Sequence, residues 1–400
     1  MDRFLFVGAL CIFFCALSPA AYAQQELDES ALIEVRDGIS YRKDTLFLLN
    51  FRFRMQNRLG FTTVNGDDFN VKAVDARVRR LRLRLDGFMF THRLRYYIQL
   101  NFSRSDLELE SPDGTAQPIR DAMVYYHFNT RVYLGFGQSK LPGNRQRVNS
   151  SGNLQFPDRS IANAAYTLDR DFGMFAYWTI PMGGQEVQFK TAISSGDGRG
   201  ALPINEGMAY TARSEWLPLG AFTNKGDYSE GDLEMEPKPK VSLAVGYSYN
   251  DRSTRTGGQL GGELYDYRDA GTVIADAMFK YRGWAFSTEY YDRRCDDPVT
   301  VGDDGAIAVV TVGTGFNAEL SRYFRSKYGI AGRYSFVDPS ASIEAYRKRT
   351  DEALLGVTRY INGHRIKLQA YSGYRWIDRD VDTSNTGNAW TFLFQVEFGI

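Results

Sequence analysis

The chain is poor in the residues that staple folds or run acid–base chemistry. It has three cysteines in 400 residues, and two of them, Cys11 and Cys15, fall in the first 23. With that leader removed only Cys295 remains, so no internal disulfide can form, and Cys295 reads as an incidental loop residue. Histidine is as scarce, with three: His92, His127 and His364. A Ser–His hydrolase in a membrane wall needs a dyad on its exterior. His92 and His364 sit in or beside expected tight turns and His127 shares the inward parity of Tyr125, so no enzyme is expected. No phosphate-binding glycine loop, zinc spacing or nucleic-acid motif occurs. The acidic tips at Gly66–Asp68 and Asp303–Gly305 read as solvated turns, so neither metal nor cofactor is expected. Lysine supplies only 11 of the 48 basic residues, the other 37 being arginine, and 48 acidic residues bring the net charge to zero. After residue 23 no apolar run approaches the ~20 residues of a spanning helix.

What is present begins with "MDRFLFVGALCIFFCALSPAAYAQQ". Its charged start, apolar core from Phe4 to Leu17 and small residues at Ala21 and Ala23 read as a secretory signal peptide over 1–23. Neither Cys11 nor Cys15 follows the small residue that lipid attachment wants. Residues 24–43 then form an N-terminal periplasmic segment, far too short for a plug domain, and 44–400 a single membrane domain. Aromatics make up 14% of the chain, with 27 Phe, 25 Tyr and 38 Gly. That usage, in short alternating runs, points to an all-β chain.

Period two dominates after residue 44. In "DTLFLLNFRFRMQ", Phe47, Leu49, Phe51, Phe53 and Met55 share one face, and Asn50, Arg52, Arg54 and Gln56 the other. "HRLRYYIQLNFS" sets Leu94, Tyr96, Ile98, Leu100 and Phe102 against Arg93, Arg95, Gln99 and Asn101. "RRLRLRLDGF" alternates Arg80, Arg82 and Arg84 with Leu81, Leu83 and Leu85. About sixteen such strands can be placed. Short turns alternate with long connections, the exception being 218–238, long where a tight turn belongs. This is the pattern of a transmembrane antiparallel β-barrel in the outer membrane, with both termini periplasmic and lipid as its outer partner. A soluble sandwich or propeller has no reason to alternate its connections so regularly.

Energetics decide which face meets lipid. An arginine on the lipid side near the midplane costs ~2–4 kcal/mol, so three together rival the ~5–15 kcal/mol stability of a typical domain. Leu81, Leu83 and Leu85 therefore face lipid, and Arg80, Arg82 and Arg84 face the lumen. About sixteen strands leave a lumen that holds water. By parity Arg52, Arg54, Arg93 and Arg95 join them in a positive strip that guides anions. The plainer alternative is that these arginines pair with inward carboxylates such as Asp86 and Asp121, as in a general pore. The loop from Ser139 to Arg170 is too long for an idle connection. It carries Lys140, Arg145, Arg147, Arg159 and Arg170 against Asp158 and Asp169. Folded inward, it would narrow the pore opposite the strip.

Four stretches carry a family resemblance: "YLGFGQSKLPGN", "FPDRSIANAAYTLDRDFGMFAYW", "FTNKGDYSEGDLEMEPKPKVSLAVGYSYND" and "KYGIAGRYSFVDPS". In this order, across nearly the whole mature chain, they resemble the phosphate-selective porins O and P. The resemblance implies a sixteen-stranded channel, a homotrimer, with an inward-folded third loop over 139–170. It also implies small anions, phosphate or a related oxyanion, as the solute. Lys140, Arg145 and Arg147 are the matching candidates for the narrow zone, and the long 218–238 turn fits the same pattern. The loop departs from phosphate-specific members in holding one lysine where they cluster several, so anion preference is implied more firmly than phosphate. A weakly selective diffusion porin and a non-conducting structural or adhesive barrel are the competing functions.

Overall fold

The computed structural model describes residues 31–35, 38–104, 106–107, 116–201, 206–380, 382–385 and 387–400. The expected signal peptide lies outside the described residues. The strands are β1 (Ala31–Val35), β2 (Ile39–Lys43), β3 (Phe47–Thr63), β4 (Val71–Met89), β5 (Thr91–Asn101), β6 (Ile119–His127) and β7 (Val132–Lys140). There follow β8 (Arg170–Met182), β9 (Gln185–Ser194), β10 (Ala209–Leu217), β11 (Lys240–Arg255), β12 (Glu263–Tyr281) and β13 (Trp284–Arg294). A small hairpin, β14 (Val299–Val301) and β15 (Ile307–Val309), precedes β16 (Gly313–Tyr323), β17 (Tyr328–Pro339), β18 (Thr350–Asn362), β19 (Ile366–Ile377) and β20 (Ala389–Gly399). Two short helices, α1 (Arg145–Val148) and α2 (Ile161–Tyr166), interrupt the connection from β7 to β8.

Sixteen of these strands, β3–β13 and β16–β20, pair antiparallel with their chain neighbours, and β20 returns to β3 to close a barrel. Closure is obligatory in hydrocarbon, where an open edge would strand a row of backbone donors and acceptors. Along β3 that requirement reaches further. β3 has 17 residues and β20 only 11, so β20 covers β3 from Arg54 to Thr62 and stops. The remaining edge, Phe47–Phe51, is taken by β2, which itself pairs with β1. The 24–43 segment is thus an end-on extension of the sheet where it is described.

The barrel is polar inside and apolar outside. Gln395 and Glu397 on β20 are fully buried, while outward Val74 and Leu355 are 66% and 64% exposed on the protein surface that lipid covers. Register confirms the opposition read from "RRLRLRLDGF". Leu85, Leu83 and Leu81 face Phe51, Phe53 and Met55 across the pair, and Arg84, Arg82 and Arg80 face Arg52, Arg54 and Gln56. The connections alternate as expected, and β10 is joined to β11 by the long stretch 218–239. Cys295 is half-buried against an apolar cluster that includes Val309, Val310 and Val312.

Leu355 supplies a test of this orientation. Leu355→Arg places a guanidinium on the lipid face of β18 and should lower folding stability by about 2–4 kcal/mol. Denaturant titration of the barrel in lipid vesicles reads the change; an unaltered midpoint would reverse the assigned faces.

Candidate functional site

Arg52 facing Arg84, and Arg54 facing Arg82, are like charges directly across a strand pair. Such pairs are unfavourable unless other groups neutralise them. Arg84 donates to Asp86 Oδ1 at 2.7 Å and lies 4.7 Å over the Tyr97 ring. Arg82 and Arg120 share Asp106, at 2.6 and 3.2 Å. Arg80 donates to Gln56 Oε1 at 2.7 Å and stands 3.5 Å from Asp158. Arg54 donates to the hydroxyls of Ser150 and Ser151 at 3.0 and 2.9 Å, and Arg82 donates to the same Ser151 hydroxyl at 2.8 Å. Arg52 has no ion pair or side-chain hydrogen bond among the described residues, and its buried Nε is unpaired. Arg93 and Arg95 are exposed near the β4–β5 turn, away from this group.

Two basic residues join the strip that alternation does not place there. The β3–β4 register shifts between Gln56 and Asn57, so Arg79 falls in the bulge and turns with Arg80 to Asp158, 3.4 Å away. The β5–β6 register shifts between Gln99 and Leu100, leaving Arg120 beside Asp121, both buried. A bulge puts two residues against one and breaks the period of two. Strict parity sends Arg79 with Leu81, and Arg120 with Val124, to the lipid side. Neither bulge is marked by a run of residue types.

The 141–169 connection bonds to strands all around the barrel. Arg145 on α1 donates to Asp276 Oδ1 at 2.9 Å, Glu215 Oε1 at 2.5 Å and the Asp227 carbonyl at 2.8 Å. Arg293 donates to the carbonyl of Tyr166 on α2, Arg333 to that of Asp158, and Lys367 to those of Gly152 and Leu154. Two strand glycines make room for its aromatics. A Cβ at Gly315 would lie 2.7 Å from the Tyr166 ring, and one at Gly356 2.9 Å from Phe156. The 218–239 stretch meets the same connection. Glu230 accepts from the Gln155 backbone at 2.7 Å and from Gln146 at 3.3 Å, and Lys280 donates to the carbonyls of Gly226 and Ser229.

Between the strip and this connection lies a cavity of about 180 Å³. Its lining includes seven cationic side chains, Arg54, Arg82, Arg84, Arg120, Lys140, Arg159 and Arg170, and no carboxylate. Tyr97, Gln99, Val148, Ser150 and Ser151 complete it. Arg170 is held by Asp121 at 3.0 Å. Among the described residues Lys140 and Arg159 bond only to carbonyls: Lys140 donates to Val148 and Asn149, Arg159 to Gln146 and Asn149. Burial first, then the neighbouring Arg147 and Arg80 charges, push the Arg159 guanidinium well below its ordinary range. Burial and crowded positive charge act together there.

Of the basic residues expected on the constriction loop, Lys140, Arg159 and Arg170 line the cavity; of the narrow-zone candidates, Lys140 does so and Arg145 and Arg147 do not. Arg145 is spent on Glu215 and Asp276 at the far wall, and Arg147 on Asp169. Of the strip, Arg54, Arg82 and Arg84 line it, while Arg80 lies behind them on Pro157 and Asp158. Both proposed pairing carboxylates are used, Asp86 by Arg84 and Asp121 by Arg170.

Known proteins share the family and the fold. The family described as phosphate-selective porin O and P matches residues 51–398. No match emerges among curated proteins. Solved structures with the same fold include OmpT of Vibrio cholerae, at 10% identity and TM-score 0.52, covering 90% of this chain and 99% of that one. OprB of Pseudomonas putida aligns at 11% identity and TM-score 0.53, covering 88% and 94%. OmpF of Salmonella typhi, in complex with daunomycin, aligns at 13% identity and TM-score 0.52, covering 92% and 100%.

Acid should weaken the ion pairs that set the connection. Burial alone would raise Asp158 and Asp169, but Arg58, Arg79 and Arg80 around the first, and Arg147 and Arg170 around the second, hold both below their ordinary value of 3.8. A carboxylate with a depressed folded pKa stabilises fully above its unfolded pKa and loses that contribution as pH falls through the folded one. The denaturation midpoint should therefore hold from pH 7 to about 4 on account of these groups and drop below that, with a smaller drop in Asp169→Asn. Equal acid sensitivity in the variant would contradict the assignment.

Proposed function

The chain belongs to the phosphate-selective porin O and P family, and on that premise we propose that it passes small oxyanions, phosphate or a close relative, passively through a constriction at the seven-cation cavity. It is an outer-membrane porin and not an enzyme. The observation that carries the finer reading is that cavity, cationic on every side and bare of carboxylate.

The 139–170 loop is read as folded into the lumen, where it forms the constriction. Support comes from its bonds to Arg54 on β3, Glu215 on β10, Asp276 on β12, Arg293 on β13, Arg333 on β17 and Lys367 on β19. On this reading Arg145 and Arg147 are anchors that set the loop, while Lys140, Arg159, Arg120 and Arg170 hold the solute. Arg52, Arg54, Arg80, Arg82 and Arg84 form the guiding strip, with Arg93 and Arg95 at its periplasmic mouth. Low-dielectric walls strengthen such a field and concentrate counter-ions. Guanidinium and ammonium groups then replace lost hydration with charge-assisted hydrogen bonds. The Ser150 and Ser151 hydroxyls, already accepting from Arg54 and Arg82, mark where a bound oxygen would be received. Assembly as a homotrimer belongs to the same proposal and rests on the family resemblance.

One observation favours the weakly selective alternative. The far wall is acidic, with Glu215, Asp276, Glu289 and Glu319 buried on β10, β12, β13 and β16. A transverse field of that kind suits a general pore. Arg145, Arg213 and Lys190 neutralise Glu215 and Asp276, which leaves the basic side dominant near the cavity.

Planar-bilayer reversal potentials in chloride and phosphate gradients test the reading. Anion selectivity with phosphate-dependent interruption of chloride current is expected. Lys140→Gln with Arg159→Gln should weaken that interruption about tenfold or more, each removing a hydrogen bond to a charged group. A cation-selective wild-type channel would sink the proposal, and an unchanged phosphate effect in the double variant would move the site elsewhere.

A further inference from the structure

Below the cavity the lumen wall changes character. His127 on β6, Tyr133 on β7 and Tyr177 on β8 are directly paired across adjacent strands. Their rings form one continuous pile. His127 and Tyr133 lie 4.5 Å apart at 14°, and Tyr133 and Tyr177 4.4 Å apart at 12°. Tyr125 closes the group at 6.1 Å from Tyr133 and 6.4 Å from Tyr177. It fits because its neighbour across the pair is Gly135, where a Cβ would lie 2.9 Å from the Tyr125 ring.

These rings face the lumen, since the alternate residues Val124, Tyr126, Leu134 and Trp178 are the exposed, lipid-side set. Rings piled along the strand-to-strand direction turn their edges, not their faces, away from the wall. All four are half-buried, so those edges remain accessible. A tyrosine hydroxyl taken out of water normally finds a partner. The Tyr133 and Tyr177 hydroxyls have no hydrogen-bond partner among the described residues and are not sealed in. The row and the cavity share one apolar backing. Tyr125, Tyr177 and the cavity-lining Tyr97 all pack against one apolar cluster containing Met123 and Phe175.

We propose that the His127–Tyr133–Tyr177 row with Tyr125 is a second solute subsite, which receives the flat ring of an anion whose charged group occupies the cationic cavity. Positive ring edges meet the π-face of an incoming aromatic ring, and the free hydroxyls meet the polar substituents of a pyranose. The solute class is therefore an oxyanion joined to a ring, aromatic or pyranose. This rests on the oxyanion reading of the cavity and extends it.

The test uses the full channel in planar bilayers, with phenyl phosphate, glucose 6-phosphate and inorganic phosphate added in turn to the periplasmic side. The ring-bearing phosphates should interrupt chloride current at concentrations about 3- to 10-fold lower than inorganic phosphate. Tyr133→Leu with Tyr177→Leu should abolish that advantage and leave the inorganic phosphate effect in place. Tyr133→Phe with Tyr177→Phe should keep it for phenyl phosphate and lose it for glucose 6-phosphate, which needs the hydroxyls. A response to only one of the two ring types supports the subsite and names the ring. Equal potency of all three phosphates in the wild type overturns the proposal without recourse to any variant. So does an advantage that survives in the leucine pair. If inorganic phosphate has no effect while the phenyl advantage appears and vanishes with the leucines, the row stands and the oxyanion reading of the cavity falls.

Discussion

A backbone in hydrocarbon has no water to bond with, so every N–H and C=O along the wall must find a strand. That constraint organises the whole chain. It closes β20 onto β3, and it explains why β2 lies end-on to β20 along the part of β3 that β20 does not reach. It also dictates the inside-out distribution of side chains. Once the apolar face of each strand is committed to lipid, every other residue points inward, whether or not the interior wants it there.

The interior thereby receives more positive charge than paired strands tolerate. Arginine stands opposite arginine three times between β3 and β4. The structure relieves this with carboxylates, Asp86, Asp106, Asp158 and Glu397 on the strip side and Asp121 and Asp169 at Arg170, and with the hydroxyls of Ser150 and Ser151. The relief is incomplete where Lys140 and Arg159 meet the strip, because only backbone carbonyls are offered there. Crowding of this sort raises the energy of the empty cavity, and on the proposed function an entering anion relieves it. The proposed function and the uncomfortable electrostatics then have one cause.

Most of the fold was legible because alternation is a local property. The faces of "RRLRLRLDGF", the number of strands and the places of the long loops follow from residues near one another in the chain. The membership of the cavity was less legible. Arg79 and Arg120 reach the lumen through bulges, where one extra residue resets parity, and no run of residue types in this chain announces them. Arg145 and Arg147 look like constriction residues by composition, yet each is claimed by a carboxylate, Arg145 by Asp276 131 residues away and Arg147 by Asp169 22 residues away. The tyrosine row was visible only as residues of inward parity, since ring stacking depends on the register between strands.

By itself the sequence determined which side of each strand meets lipid, because a misplaced arginine there costs as much as a large share of a domain's stability. It therefore also determined that a basic strip lines a closed lumen. Only the tertiary structure decided which of those cations stay unneutralised. That outcome depends on contacts such as Arg54 with Ser151, 97 residues apart, and Lys367 with Gly152, 215 apart. Local pattern sets the direction of a side chain, whereas its neighbour across a barrel is chosen by register, bulges and the path of a loop.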